Sequence, residues 1–261
     1  MNIFDFGKMK KAMKKISMIT CYDYTSARIL SQTSADCLLV GDSVAMTMHG
    51  FQSTISATIE MMCFHTAAVS RGNTNKFIVS DLPFLSYRKS LSSNMSAAQQ
   101  LIQAGAHAVK LESAIGNEKF IQHLVTSGVP VMGHIGLTPQ FVNMLGGYKV
   151  QGKTQESAER LKKEALLLQE LGCFSIVLEC IPTQLAKTIT ESLVIPTIGI
   201  GAGPFTDGQV LVWQDLLGLN IDFNPTFIKK FISGSELIKN GVETFVNETR
   251  SGDFPNHEHC F

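Results

Sequence analysis

Short apolar runs alternate along this chain with longer segments whose apolar residues recur every three or four positions. Brief continuous apolar runs bounded by turn residues predict buried strands. They fall at 17–23, 37–42, 77–82, 108–112, 129–136, 175–180, 196–201 and 210–215. Between them lie helical patterns such as 96–105 and 157–172. In the second, Ala158, Leu161, Ala165 and Leu168 share one helix face. Gly105, Gly128 and Gly172 stand where helix C-termini favour glycine, each shortly before the next strand. Strand and helix in strict alternation predict a parallel sheet with helical crossovers. Eight such units predict a (β/α)8 TIM barrel. A doubly wound sheet is the alternative, but polar groups stand at most of the strand ends and not at one switch point. The eighth strand, VLVWQD at 210–215, reads equally well as helix. The expected organisation is one barrel domain over 1–261, with a short N-terminal helix and a C-terminal tail.

Composition narrows the function. The chain has 261 residues, 44% of them hydrophobic, enough for a sizeable core. Lys+Arg and Asp+Glu both number 22, so there is no basic excess to neutralise phosphates, and no nucleic-acid partner is expected. No apolar run approaches the roughly 20 residues that cross a bilayer. Five lysines between Lys8 and Lys15 are not followed by a signal-peptide core. The six cysteines form no C-x-x-C pair and sit mostly in apolar runs, as small core residues in a reducing compartment. A cytoplasmic protein without membrane association is expected.

The chemistry is concentrated at strand ends. Four predicted strands finish on a carboxylate: Asp42, Asp81, Glu112 and Glu179. Each alone is compatible with a helix cap, a turn or a surface ion pair. Together they are harder to explain, because a buried carboxylate needs a partner. A barrel gathers the C-terminal ends of its strands around one mouth, so Asp42, Asp81 and Glu112, from strands two to four, become neighbours. Carboxylates that close need a cation or a proton among them. An all-oxygen set points to Mg2+ or a similar hard ion, not to Zn2+. Lys110 shares a strand face with Glu112 and can hold an anionic substrate or an enolate oxygen; the plainer reading is a salt bridge to Glu112 itself. Glu179, from the sixth strand, is the candidate general base, with His134 ranked second. His257, Glu258 and His259 look like metal ligands by composition but lie in the tail and read as solvated.

Gly147 to Thr154 matches the G-x-x-x-x-G-K-[ST] phosphate loop letter for letter. That loop requires a strand directly before it. The preceding segment contains Pro139 and lacks strand alternation, so the match reads as coincidence. A P-loop nucleotide-binding protein is kept only as a rival from another class.

Ordered motifs across nearly the whole chain resemble the ketopantoate hydroxymethyltransferase family. They include Thr20-Cys-Tyr-Asp-Tyr, Leu39-Val-Gly-Asp-Ser43, Ser80-Asp-Leu-Pro-Phe84, Val109-Lys-Leu-Glu112, Gly133-His-Ile-Gly-Leu-Thr-Pro-Gln140, Gly146 to Gly152, Val177-Leu-Glu-Cys180 and Ile198 to Gly203. The resemblance implies a TIM barrel with one Mg2+ per subunit, assembled as a homodecamer. It implies Asp42, Asp81 and Glu112 as metal ligands, and Asp42, Ser43, Asp81 and Lys110 as contacts to a 2-oxo acid. Glu179 would be the proton acceptor. The implied reaction transfers a hydroxymethyl group from 5,10-methylenetetrahydrofolate to 3-methyl-2-oxobutanoate, a step of pantothenate biosynthesis. The family usually has glycine after the metal-binding glutamate, where this chain has Ser113-Ala114. Its Pro-Lys-Phe near the C-terminus appears here as Pro225-Thr226-Phe227. The nearest enzyme rival is a Mg2+-dependent lyase or mutase acting on a 2-oxo acid on a similar barrel.

Overall fold

The computed structural model describes residues 1–221 and 225–261. Its strands are β1 Ile16–Thr20, β2 Cys37–Val40, β3 Phe77–Asp81, β4 Ala108–Glu112, β5 Val131–Gly136, β6 Ser175–Glu179, β7 Thr197–Ile200 and β8 Gly208–Leu211. They form one closed parallel barrel in chain order, with β8 pairing back onto β1. This is the predicted TIM barrel.

The eighth strand is placed differently from the expectation. It pairs with β1 from Ile16↔Gly208 to Ile19↔Leu211 and ends there. The segment Trp213–Leu216 is a short helix. The run 210–215 therefore contained the end of a strand and the start of a helix, both apolar, which hydropathy alone does not separate.

The chain groups into two compact units, Met1–Leu211 and Val212–Phe261. The first contains the complete barrel. The second, expected as a tail, includes the helix Gly234–Ser251. His257–His259 form a single exposed turn capped by Asn256. No described helix is long and apolar enough to cross a membrane.

Strand period explains how the barrel interior changes from core to site. Side chains two apart on a strand share a face. Phe77 and Val79 of β3, Ala108 of β4, Met132 of β5 and Val177 of β6 belong to one buried apolar cluster. Two residues further along the same faces come Asp81, Lys110, His134 and Glu179, and two beyond Lys110 comes Glu112. The polar layer is thus the upward continuation of the core. The helix Ile3–Lys11 caps that core: Phe6 is fully buried, edge-on to Phe77 at 5.5 Å and to Phe174 at 5.1 Å between ring centres. Lys10 fastens this helix through Asp207 at 2.9 Å and the carbonyl oxygens of Thr190 and Ile195.

The phosphate-loop look-alike has the wrong setting. Gly147 follows the short helix Val142–Leu145 and not a strand, and Thr154 caps the helix Gln155–Glu170.

Candidate active site

Asp81, Glu112 and Glu179 are the last residues of β3, β4 and β6. Asp42 lies two residues beyond the end of β2, in the turn before Ser43. Glycine at position 41 leaves the Ser43 hydroxyl its place, since a Cβ there would sit 2.8 Å from Ser43 Oγ. The backbone N–H of Asp42 donates to Asp81 Oδ2 at 3.1 Å, which ties the two carboxylates together.

Lys110 reaches across to the neighbouring strand, 3.0 Å from Asp81 Oδ1. The in-strand pairing with Glu112 is not the one formed. Asp81 and Lys110 are register partners, and neighbouring strands lie about 4.8 Å apart against about 6.6 Å for two residues along one strand. His134 stands between the other two carboxylates, Nδ1 at 3.6 Å from Glu112 Oε1 and Nε2 at 3.2 Å from Glu179 Oε2. Ser43 Oγ bonds to the Tyr22 hydroxyl at 2.8 Å.

Charge in this layer is unbalanced. Asp42, Asp81, Glu112 and Lys110 are all at most 5% exposed, so three buried carboxylates face one buried ammonium. Burial, and then the charge of Asp81, pushes the Asp42 carboxyl up to about 7. Glu112 is raised well above the usual carboxylate range by burial and by Asp42. Burial opposes the charge on Lys110, but Asp81, Asp42 and Glu112 more than offset it and hold the ammonium protonated. His134 is lowered by burial and by Lys110, so its imidazole is neutral. A hard cation fits this surplus of negative charge and this all-oxygen donor set. Among the described residues no group of three or more His, Cys, Asp and Glu is placed to hold a metal ion.

Gln140, absent from the sequence-level candidates, is the hub of this layer. Its side-chain Nε2 donates to Asp42 Oδ2 at 2.8 Å and its backbone N–H to Glu112 Oε2 at 3.0 Å. Tyr87 donates its hydroxyl to Gln140 Oε1 at 2.6 Å. The available signal was position: Gln140 closes the Gly133–Gln140 motif, which starts within β5 and runs past its end. Nothing in the local pattern marks Tyr87.

The loop after Glu112 keeps a glycine-like shape without glycine. Ser113 has φ +64°. The Glu164 carboxylate, from the helix Gln155–Glu170, accepts from the Ser113 hydroxyl and from the Ala114 N–H at 3.0 Å. Asn117 Nδ2 donates to the Ser113 carbonyl at 2.9 Å. These bonds offset a left-handed backbone that costs a non-glycine residue about 1–2 kcal/mol. Ser113→Ala keeps the strain and loses the hydroxyl bond, whereas Ser113→Gly loses the bond but relieves the strain. Thermal denaturation should place Ser113→Gly above Ser113→Ala by about 1 kcal/mol. The reverse order would mean that the left-handed turn is not strained.

Glycine is also required at position 136, where φ is +98° and a Cβ would lie 2.2 Å from the Glu179 carbonyl oxygen. The close approach lets Leu137 N–H bond that carbonyl at 2.8 Å and hold the end of β6 against β5.

The model of the ketopantoate hydroxymethyltransferase family matches residues 1–257. The chain belongs to that family. A 3-methyl-2-oxobutanoate hydroxymethyltransferase of Francisella tularensis subsp. tularensis (strain WY96-3418) is 56% identical over 260 residues, covering 100% of this chain and 98% of that one. One of Coxiella burnetii (strain Dugway 5J108-111) is 57% identical over 263 residues, covering 100% and 99%. Among solved structures, phosphonopyruvate hydrolase in complex with oxalate and Mg++ superposes with a TM-score of 0.64 at 9% identity, covering 99% of this chain and 93% of that one. A 2,3-dimethylmalate lyase of the PEP mutase/isocitrate lyase superfamily gives 0.59 at 13%, covering 99% and 91%. At such identities the two structures speak for the barrel only, whereas the full-length relatives speak for a hydroxymethyltransferase. The lyase or mutase reading is therefore a matter of shared fold.

Proposed function

We propose that this barrel mouth transfers a hydroxymethyl group to 3-methyl-2-oxobutanoate from 5,10-methylenetetrahydrofolate. A C–C bond forms between C3 of the acid and the methylene carbon. Water supplies the hydroxyl oxygen, and 2-dehydropantoate and tetrahydrofolate leave. The observation that carries the reading is the layer of three buried carboxylates with one lysine beside Glu179, in a chain of this family. Asp42, Asp81 and Glu112 would hold a Mg2+ ion. When bound, it supplies Lewis acidity that polarises the 2-oxo group and acidifies C3.

The chain's own groups do the rest. Glu179, the most exposed of the four carboxylates with 19% of its side chain accessible, takes the C3 proton on its Oε atoms. His134, neutral and 3.2 Å from Oε2, orients that carboxylate. The Lys110 ammonium offsets the negative charge of the enolate. Ser43, its hydroxyl held by Tyr22, donates that hydroxyl and its own backbone N–H to the substrate carboxylate. Free cysteines throughout the described chain agree with a cytoplasmic setting.

The test is exchange of the C3 proton of 3-methyl-2-oxobutanoate in D2O. The folded protein with Mg2+ should exchange it without folate and form 2-dehydropantoate only when 5,10-methylenetetrahydrofolate is added. No exchange would end the enolate reading, and turnover of the acid without folate would favour a lyase.

Assembly as a homodecamer belongs to the same proposal. The helix Gly234–Ser251 presents Leu237, Ile238, Val242 and Phe245 along one side, each more than half exposed. An apolar stripe of that size on a helix marks an interaction surface. Light scattering should report about ten copies of the 28.5 kDa chain, and Leu237→Glu with Val242→Glu should lower that mass. An unchanged mass would place the contacts elsewhere.

A further inference from the structure

We propose that Tyr148 is a further substrate-binding residue, whose hydroxyl reaches over the barrel mouth and donates to the carboxylate of the bound 2-oxo acid. The proposal rests on the reading above that Ser43 receives that carboxylate.

Tyr148 lies in the segment whose letters match a phosphate loop, and the fold gives that segment a different task. The chain is fastened on both sides of the tyrosine. Gly147 N–H bonds the Val142 carbonyl at 3.0 Å, and Gln151 N–H bonds the carbonyl of Cys180, just past the end of β6, at 2.9 Å. Between these anchors the Tyr148 hydroxyl extends to Met46 Sδ at 3.9 Å. Met46 belongs to the short helix Val44–Thr47, which begins directly after Ser43, and its N–H bonds the Ser43 carbonyl at 3.0 Å. In the barrel, β3 and β4 stand between β2 and β5. A side chain from the loop after β5 that touches the helix after β2 therefore crosses the ends of the strands that carry Asp81 and Glu112. The electrostatics agree with that placement. Partial burial, and then the charges of Asp42, Glu179 and Glu112, raise the hydroxyl above the ordinary phenol range, so it is a proton donor at neutral pH.

That donor is poorly used. A thioether sulfur is a weak acceptor, and Met46 is the one partner of the Tyr148 hydroxyl among the described residues. The tyrosine is 52% exposed, so the core does not depend on its hydroxyl. A carboxylate held at Ser43, three residues from Met46, is a far better acceptor, because hydrogen bonds to charged groups are the stronger ones. Binding of the acid thus exchanges a weak contact for a strong one, and the tyrosine ring then covers the acid from the solvent side.

The experiment is steady-state kinetics of the full chain with Mg2+, 3-methyl-2-oxobutanoate and 5,10-methylenetetrahydrofolate. Tyr148→Phe keeps the ring and removes the donor. KM for the acid should rise about tenfold while kcat and KM for the folate stay close to wild type, the pattern of a contact made equally in the ground and transition states. Calorimetric titration with the acid should show the same loss of affinity. Met46→Leu removes the sulfur and leaves the donor, so KM for the acid should not rise. A merely structural tyrosine would lower the melting temperature of the phenylalanine variant or raise KM in both variants, and either result overturns the proposal. An unchanged KM for the acid in Tyr148→Phe also overturns it, as does a rise in KM for the folate alone. Wild type that neither binds nor turns over the acid overturns instead the reading beneath it.

Discussion

Glu179→Gln should abolish exchange of the C3 proton while leaving Mg2+ and 3-methyl-2-oxobutanoate binding close to wild type. The loss expected for removing a positioned general base is about 10²–10⁴-fold. The separation of effects follows from placement. Glu179 ends β6, whereas the proposed ligands come from β3, β4 and the turn after β2. Glutamine keeps the side-chain volume and can still meet His134 Nε2, so the barrel mouth should not rearrange. Isothermal titration and NMR-detected exchange on the same preparation check both halves. Normal exchange by this variant would move the base to His134. Loss of binding together with exchange would mean that Glu179 belongs to the ligand set.

Lys110→Met should produce the largest change in stability, and that change should depend on the metal. Lys110 and Asp81 form a pair with side chains only 6% and 4% exposed. Removing one partner of a buried ion pair leaves an uncompensated charge and costs about 3–5 kcal/mol. The cost is aggravated here because Asp42 and Glu112 stand nearby and Lys110 is the cation that offsets all three. A divalent ion in the same layer supplies positive charge in its place. Urea denaturation of the metal-free variant should show the full loss, and saturating Mg2+ should recover part of it by binding the native state alone. A gap between variant and wild type that is the same with and without Mg2+ would argue that the carboxylates do not share a cation.

Much of the fold was legible because strand and helix have different periods. Seven of the eight apolar runs hold strands where hydropathy placed them: six are trimmed or left intact, as with Ala108–Glu112, and β1 starts one residue before its run, at Ile16. The eighth failed for a definable reason, since apolar residues run on from β8 into the helix Trp213–Leu216 and only pairing with β1 ends the strand. The carboxylates were legible because charge at the end of an apolar strand is costly without a partner. The identity of those partners was not. Whether Lys110 turns to Glu112 or to Asp81 depends on the β3–β4 register. Gln140 meets Asp42 across 98 positions of chain, through a turn after β5 that carries no periodic signal. The serine after Glu112 also resisted a local reading. Its left-handed backbone is tolerated through a carboxylate 51 residues away, on a helix packed outside the strands.

By itself the sequence determined the alternation of buried strands and helices, the faces on which Asp81, Lys110, Glu112 and Glu179 lie, and the surplus of acid at the strand ends. These follow from local chemistry: side-chain period, backbone propensity and the cost of burying charge. The tertiary structure decided which of these groups touch. It paired Lys110 with Asp81, set His134 between Glu112 and Glu179, and brought in Gln140 to grip Asp42 and Glu112. The reason is geometric. Closing the barrel converts distance along the chain into a few ångströms across its mouth, and strand register, which no single strand encodes, chooses the partners.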